Sequence, residues 1–144
     1  MNLVKTIKID NPTSLNQNII DAAGFDIKKV LYEEFKENFE SDLIWHREQR
    51  TIIYFLNGSA ELVVENTEEQ FNQSRQKIYI NEENRPALLI DKKIACKFKI
   101  TSESASILFY YENDNIDFDL VRIPEKDYVP DINNSNKNIL VCGG

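Results

Sequence analysis

Apolar side chains recur with a period of two along most of this chain, a pattern that suits half-buried strands rather than helices. Near the start Leu3, Lys5, Ile7 and Ile9 alternate against Val4, Thr6 and Lys8, until Asn11-Pro12-Thr13-Ser14 breaks the run. Residues 50–56 form the most apolar strand candidate. Asn57-Gly58 follows, a dipeptide suited to the positive φ angles of a tight hairpin, and residues 60–65 supply the return strand. Further strands are expected over 27–35, 77–80, 87–90, 94–100, 106–111 and 119–123. Helix signals are weak; the best covers 14–23, with Ser14 as its cap, and carries Leu15, Ile19 and Ile20. Many short strands at such spacing predict an all-β sandwich or barrel, whose closure creates a pocket lined by alternate residues.

A chain of 144 residues is one ordinary domain. We expect that domain over residues 1–129, followed by an asparagine-rich tail over 130–144 that carries Asn133, Asn134, Asn136 and Asn138. The 17 Lys and Arg against 24 Asp and Glu give a net charge of −7 with no basic cluster. A phosphate backbone and an anionic lipid surface both select the opposite, so no nucleic acid and no membrane is expected as a partner. No apolar run approaches the roughly 20 residues of a membrane span. The first residues lack the apolar core of a signal peptide, and the chain is expected to be cytoplasmic. Its four glycines are Gly24, Gly58, Gly143 and Gly144, which are not spaced as a P-loop or a dinucleotide fingerprint requires. Cys96, Cys142 and the single histidine, His46, cannot supply a thiolate–imidazole zinc site. No Ser/His/Asp or Cys/His nucleophile set is recognisable either.

Several segments, in order, resemble one enzyme family. Phe25-Asp26-Ile27-Lys28-Lys29-Val30-Leu31-Tyr32 resembles the opening core strand of the cupin-type nucleotide-sugar 3,4-ketoisomerases. The stretch from His46 through Thr51-Ile52-Ile53-Tyr54-Phe55-Leu56 to Asn57-Gly58-Ser59 is similar to their histidine, apolar strand and Asn-Gly-Ser turn. Ala60-Glu61-Leu62-Val63-Val64-Glu65-Asn66 resembles the return strand, Lys77-Ile78-Tyr79-Ile80 a later strand, and Ser106-Ile107-Leu108-Phe109-Tyr110-Tyr111 the late apolar one. The resemblance covers about residues 1–123 and implies a cupin fold, the double-stranded β-helix or jelly-roll barrel, usually a homodimer. It also implies a metal-independent shift of a keto group between C4 and C3 of a dTDP-4-keto-6-deoxyhexose, serving glycan or polysaccharide biosynthesis. The family uses a His-x-His pair and a nearby tyrosine. Here His46 falls on the second histidine, Ile44 stands at the first, and Tyr32 matches the tyrosine. The metal-binding arrangement of other cupins reads Ile44, His46 and Thr51 at the corresponding positions, with no further histidine, so no metal and no cofactor is expected.

On this reading His46 is the principal acid or base and Tyr32 assists at a sugar oxygen; the plainer alternative is a strand histidine with a structural hydrogen bond. Strand alternation from His46 puts Glu48, Arg50, Ile52 and Tyr54 on the same face. Arg50 therefore becomes the first candidate for a diphosphate, since a guanidinium fork matches phosphate oxygens. Arg85 is a second candidate, Tyr54 and Tyr79 offer stacking faces with hydroxyls, and Glu48 completes the ligand-binding set. A rival of another class is a catalytically silent cupin that binds a sugar nucleotide or another small ligand, or serves in assembly. The missing first histidine favours that rival, and the hairpin pattern fits both.

Overall fold

The computed structural model describes residues 3–68 and 75–123. The asparagine-rich tail expected from residue 130, with Cys142, lies outside the described residues. Ten strands are described: β1 (Val4–Ile7), β2 (Lys29–Lys36), β3 (Leu43–His46), β4 (Thr51–Asn57), β5 (Ala60–Asn66), β6 (Arg75–Ile80), β7 (Ala87–Ile90), β8 (Ile94–Ile100), β9 (Ser104–Tyr111) and β10 (Leu120–Ile123). One α-helix, α1 (Leu15–Ala23), lies between β1 and β2. All strand pairings are antiparallel, in two five-stranded sheets ordered β1-β7-β4-β9-β2 and β10-β3-β8-β5-β6. This is the all-β jelly-roll that the period of two and the family resemblance predict.

The two sheets face each other across the main core. Leu62, Val64, Ile80, Phe98 and Ile100 of the second sheet meet Ile53, Phe55, Ile107 and Phe109 of the first. Each such side chain, fully buried, stabilises the fold by roughly 1.5–3 kcal/mol. A second cluster lies on the outer face of the first sheet, where Ile19 and Ala23 of α1 cover Ile52, Tyr54 and Tyr110. Strand β4 is thus buried on both faces, which accounts for its unbroken apolar run.

Three local expectations need correction. Asn57-Gly58 makes a turn but no hairpin, because β4 lies in the first sheet and β5 in the second and the two do not pair. Ser14 does not cap α1 through its side chain; its hydroxyl lies 3.1 Å from the Asn11 carbonyl and 3.0 Å from Asn18 Oδ1 instead. The helix does end as its sequence suggests, on Gly24 at φ 75°. Strand β3 is the one strand outside the expected set: Leu43-Ile44-Trp45-His46 is buried or half-buried at every position, so it shows no alternation.

Candidate functional site

His46 ends β3, and its residue is directly opposite Leu120 of β10. That register places Asp119, the residue before β10, beside the imidazole. His46 Nδ1 lies 2.9 Å from Asp119 Oδ1. The same carboxylate accepts hydrogen bonds from Gln49 Nε2 at 2.9 Å, from the Glu48 backbone N–H at 2.8 Å and from the Gln49 backbone N–H at 3.0 Å. Its own backbone carbonyl accepts from the Arg47 N–H at 3.1 Å. One aspartate therefore holds the whole crossing from β3 in one sheet to β4 in the other. Burial pushes the Asp119 carboxyl up, but the bonds from Gln49, His46 and Glu48 outweigh it and hold the group below the usual carboxylate range. An ionised carboxylate only accepts, so His46 Nδ1 carries the proton and Nε2 presents a lone pair in the neutral ring.

The imidazole opens on a cleft between the sheets. Ile44, Trp45, Gln49, Thr51, Ile53 and Tyr111 line it, together with Ile90, Asp91, Ile94 and Cys96. The Tyr111 ring meets the imidazole edge-on, with centroids 5.9 Å apart. The space open to a water molecule's centre is about 20 Å³, on the scale of one water. Admitting a sugar ring therefore requires side chains at the mouth to move. Burial pushes the Cys96 thiol up to about 12, so this cysteine is not a thiolate at neutral pH. Among the described residues no three His, Cys, Asp or Glu side chains are grouped to hold a metal ion.

The other residues singled out from the sequence are not brought to this cleft. Alternation does not run from His46 into β4, because residues 47–50 cross between sheets. Thr51 and Ile53 face the cleft, and Tyr54 turns outward beneath α1. Arg50 is engaged by Glu112, with Nε 3.1 Å from Oε2 and Nη2 3.0 Å from Oε1, and its guanidinium sits 5.0 Å from the Phe25 ring centroid. Glu48 contributes its backbone N–H to Asp119 while its side chain is exposed. Tyr32 is 54% exposed on the outer face of β2, its hydroxyl 2.6 Å from Glu34 Oε2 and 3.2 Å from Ser106 Oγ. Tyr79, also 54% exposed, stands on β6 at the far edge of the second sheet, with Lys77 Nζ 5.9 Å from its ring centroid. Arg85 reaches the Phe55 carbonyl at 3.4 Å.

Among the polar groups that sequence reasoning missed are Asp119 behind the imidazole and Gln49, Thr51 and Tyr111 in the lining. Asp119 is 73 residues from His46, and only the pairing of β10 with β3 joins them. Thr51 and Tyr111 are register partners across β4 and β9. No local motif announces either relation.

No protein-family model matches the chain, and no curated protein sequence matches it. Solved structures do. A 3,4-ketoisomerase from Helicobacter canadensis is 19% identical, with a TM-score of 0.66 over 83% of this chain and 90% of that one. A sugar 3,4-ketoisomerase from Thermoanaerobacterium thermosaccharolyticum, solved with TDP, is 18% identical, with a TM-score of 0.64 over 85% and 90%. The dTDP-6-deoxy-D-glucose-3,5-epimerase of Legionella pneumophila, solved with dTDP-4-keto-L-rhamnose, is 11% identical, with a TM-score of 0.61 over 84% and 70%. At identities of 19% and less, this chain shares the cupin jelly-roll fold of the dTDP-sugar 3,4-ketoisomerases and 3,5-epimerases.

Proposed function

We propose that this protein is an isomerase that moves a proton next to the ketone of a sugar, its substrate a dTDP-linked 4-keto-6-deoxyhexose and its reaction a 3,4-keto shift in glycan or polysaccharide biosynthesis. The observation that carries the reading is the buried His46–Asp119 pair, with Nε2 left to act as a base in an apolar cleft. His46 Nε2 takes the proton from C3, and that C–H electron pair becomes the C3–C4 double bond. The C4 oxygen takes a proton from the Tyr111 hydroxyl, giving an enediol. Reprotonation at C4 from His46, with loss of the C3 hydroxyl proton to Tyr111, yields the 3-ketone and restores both residues. The ketone itself acidifies the adjacent C–H, so the sequence balances without a redox cofactor. Tyr111 takes the part that the resemblance assigned to Tyr32. A homodimer and a cytoplasmic location belong to the same reading; sedimentation velocity tests the first.

The test is incubation with dTDP-4-keto-6-deoxyglucose in heavy water, followed by proton NMR. Deuterium entering the sugar ring with a 3-keto product is the expected result, and His46→Asn should lower the rate by about 10²–10⁴. Neither exchange nor product from the wild type overturns the reading. That outcome favours a catalytically silent binding module, for which the buried Ile44 at the first histidine position and the engagement of Arg50 by Glu112 also speak.

A further inference from the structure

Two buried polar atoms of the cleft have no hydrogen-bond partner among the described residues, Gln49 Oε1 and Thr51 Oγ1. Gln49 is 2% exposed and Thr51 8%, and both line the space beside His46. Buried oxygens of this kind are rare in folded proteins because each weakens the fold. One water fits the space and can serve both atoms, and a ligand hydroxyl that takes its place must meet the same two oxygens.

The geometry also says what such a ligand must offer. Gln49 cannot turn its amide freely, since Nε2 is bonded to Asp119 Oδ1 at 2.9 Å. Its acceptor end is the one left for the cleft, and a ligand must bring a donor to it. His46 Nε2 is an acceptor too, and the Thr51 hydroxyl serves either way. Around these atoms the wall is apolar, with Ile44, Ile53, Ile90 and Ile94. The lining contains no lysine or arginine; its one carboxylate is Asp91, and Asp119 stands behind the imidazole. Such a site attracts neutral hydroxyl groups and repels anions.

We infer that Gln49 and Thr51 select a neutral, hydroxyl-bearing ring with one apolar face, and that any phosphate on the ligand stays outside this cleft. The inference rests on the proposed proton-transfer reading and names the residues that set its specificity. Trp45 and His46 are the only tryptophan and histidine of the chain, and both line the cleft. Tryptophan fluorescence and the imidazole NMR signals therefore report on this one place. The full chain is titrated with L-rhamnose into the high millimolar range and, separately, with inorganic pyrophosphate.

Saturable movement of both reporters by L-rhamnose, and none by pyrophosphate, is the expected result. Thr51→Val should weaken the sugar by about tenfold, the cost of one lost hydrogen bond. It should also raise Tm by roughly 2–4 °C, because an unsatisfied buried hydroxyl is gone. Thr51→Ser should restore the affinity. A Thr51→Val protein that gains stability and keeps its sugar affinity overturns the inference, as does a wild type that responds to pyrophosphate or ignores L-rhamnose. Ring deuteration in the isomerase assay with unchanged Thr51→Val affinity sinks this inference alone. Lost affinity in Thr51→Val without deuteration by the wild type sinks the isomerase reading alone.

Discussion

Asp119 decides the chemistry of His46 by fixing which ring nitrogen holds the proton. His46 itself is legible in the sequence, as a single histidine beside the most apolar run. Its partner is not, because a contact across 73 residues follows from strand pairing and leaves no local mark. The same blindness misplaced Arg50, whose guanidinium is engaged by a glutamate 62 residues away. Asp119→Asn is the sharpest test at this scale. An amide cannot accept all the bonds that the carboxylate accepts from His46, Gln49 and the backbone of Glu48. We expect the imidazole nitrogen shifts to move away from a pure Nδ1–H tautomer and isomerisation to fall by about 10²-fold or more. An unchanged nitrogen spectrum would show that the tautomer is set elsewhere.

Strands β4 and β5 are legible on either side of Asn57-Gly58, but they lie in different sheets and form no hairpin; the turn that carries the chain between the sheets rests on Gly58. It sits at φ 86°, in the left-handed region that only glycine enters freely. A Cβ there would fall 2.7 Å from Ala105 Cα and 2.6 Å from Ala105 Cβ, and against the Ser104 carbonyl. Turn geometry and the packing of β9 thus demand the same residue. Gly58→Ala should cost about 2–4 kcal/mol, read as a lowered midpoint in urea with an unchanged slope. A loss under about 1 kcal/mol would mean that the turn between the sheets relaxes away from β9. The crossing after β3 was unreadable for the converse reason. Periodicity assigns faces only while a strand stays in one sheet, and residues 47–50 leave one sheet for the other. Hence the projected face joining His46 to Arg50 and Tyr54 does not exist.

For the molecule as a whole, alternation and turn residues sufficed to predict an all-β sandwich or barrel, since burial imposes a period of two on every strand with one wet face. Strand order and the location of the cleft depend on pairings between distant segments and stayed out of reach. Acid stability is a property of this scale. Asp119 and Glu112 both titrate below their ordinary range in the folded protein: burial opposes this, and bonds from Gln49, His46 and Glu48 to the first and from Arg50 to the second prevail. The unfolded chain therefore binds protons more readily, and their contribution is complete above the ordinary carboxylate range and lost as pH falls through the folded values. We expect Tm to decline from about pH 5 to pH 3, and the double variant Asp119→Asn, Glu112→Gln to decline less over that interval. Equal slopes would place the acid-sensitive groups elsewhere. The bond between the end of β3 and the residue before β10 also imposes an order in time. Until the last described strand docks, nine strands can be in place around a histidine whose tautomer is unassigned and whose crossing loop is untethered. On the proposed reading, competence then waits on the docking of β10; because Trp45 is the register partner of Val121 on that strand, the tryptophan signal after dilution from urea should recover together with turnover and not before it.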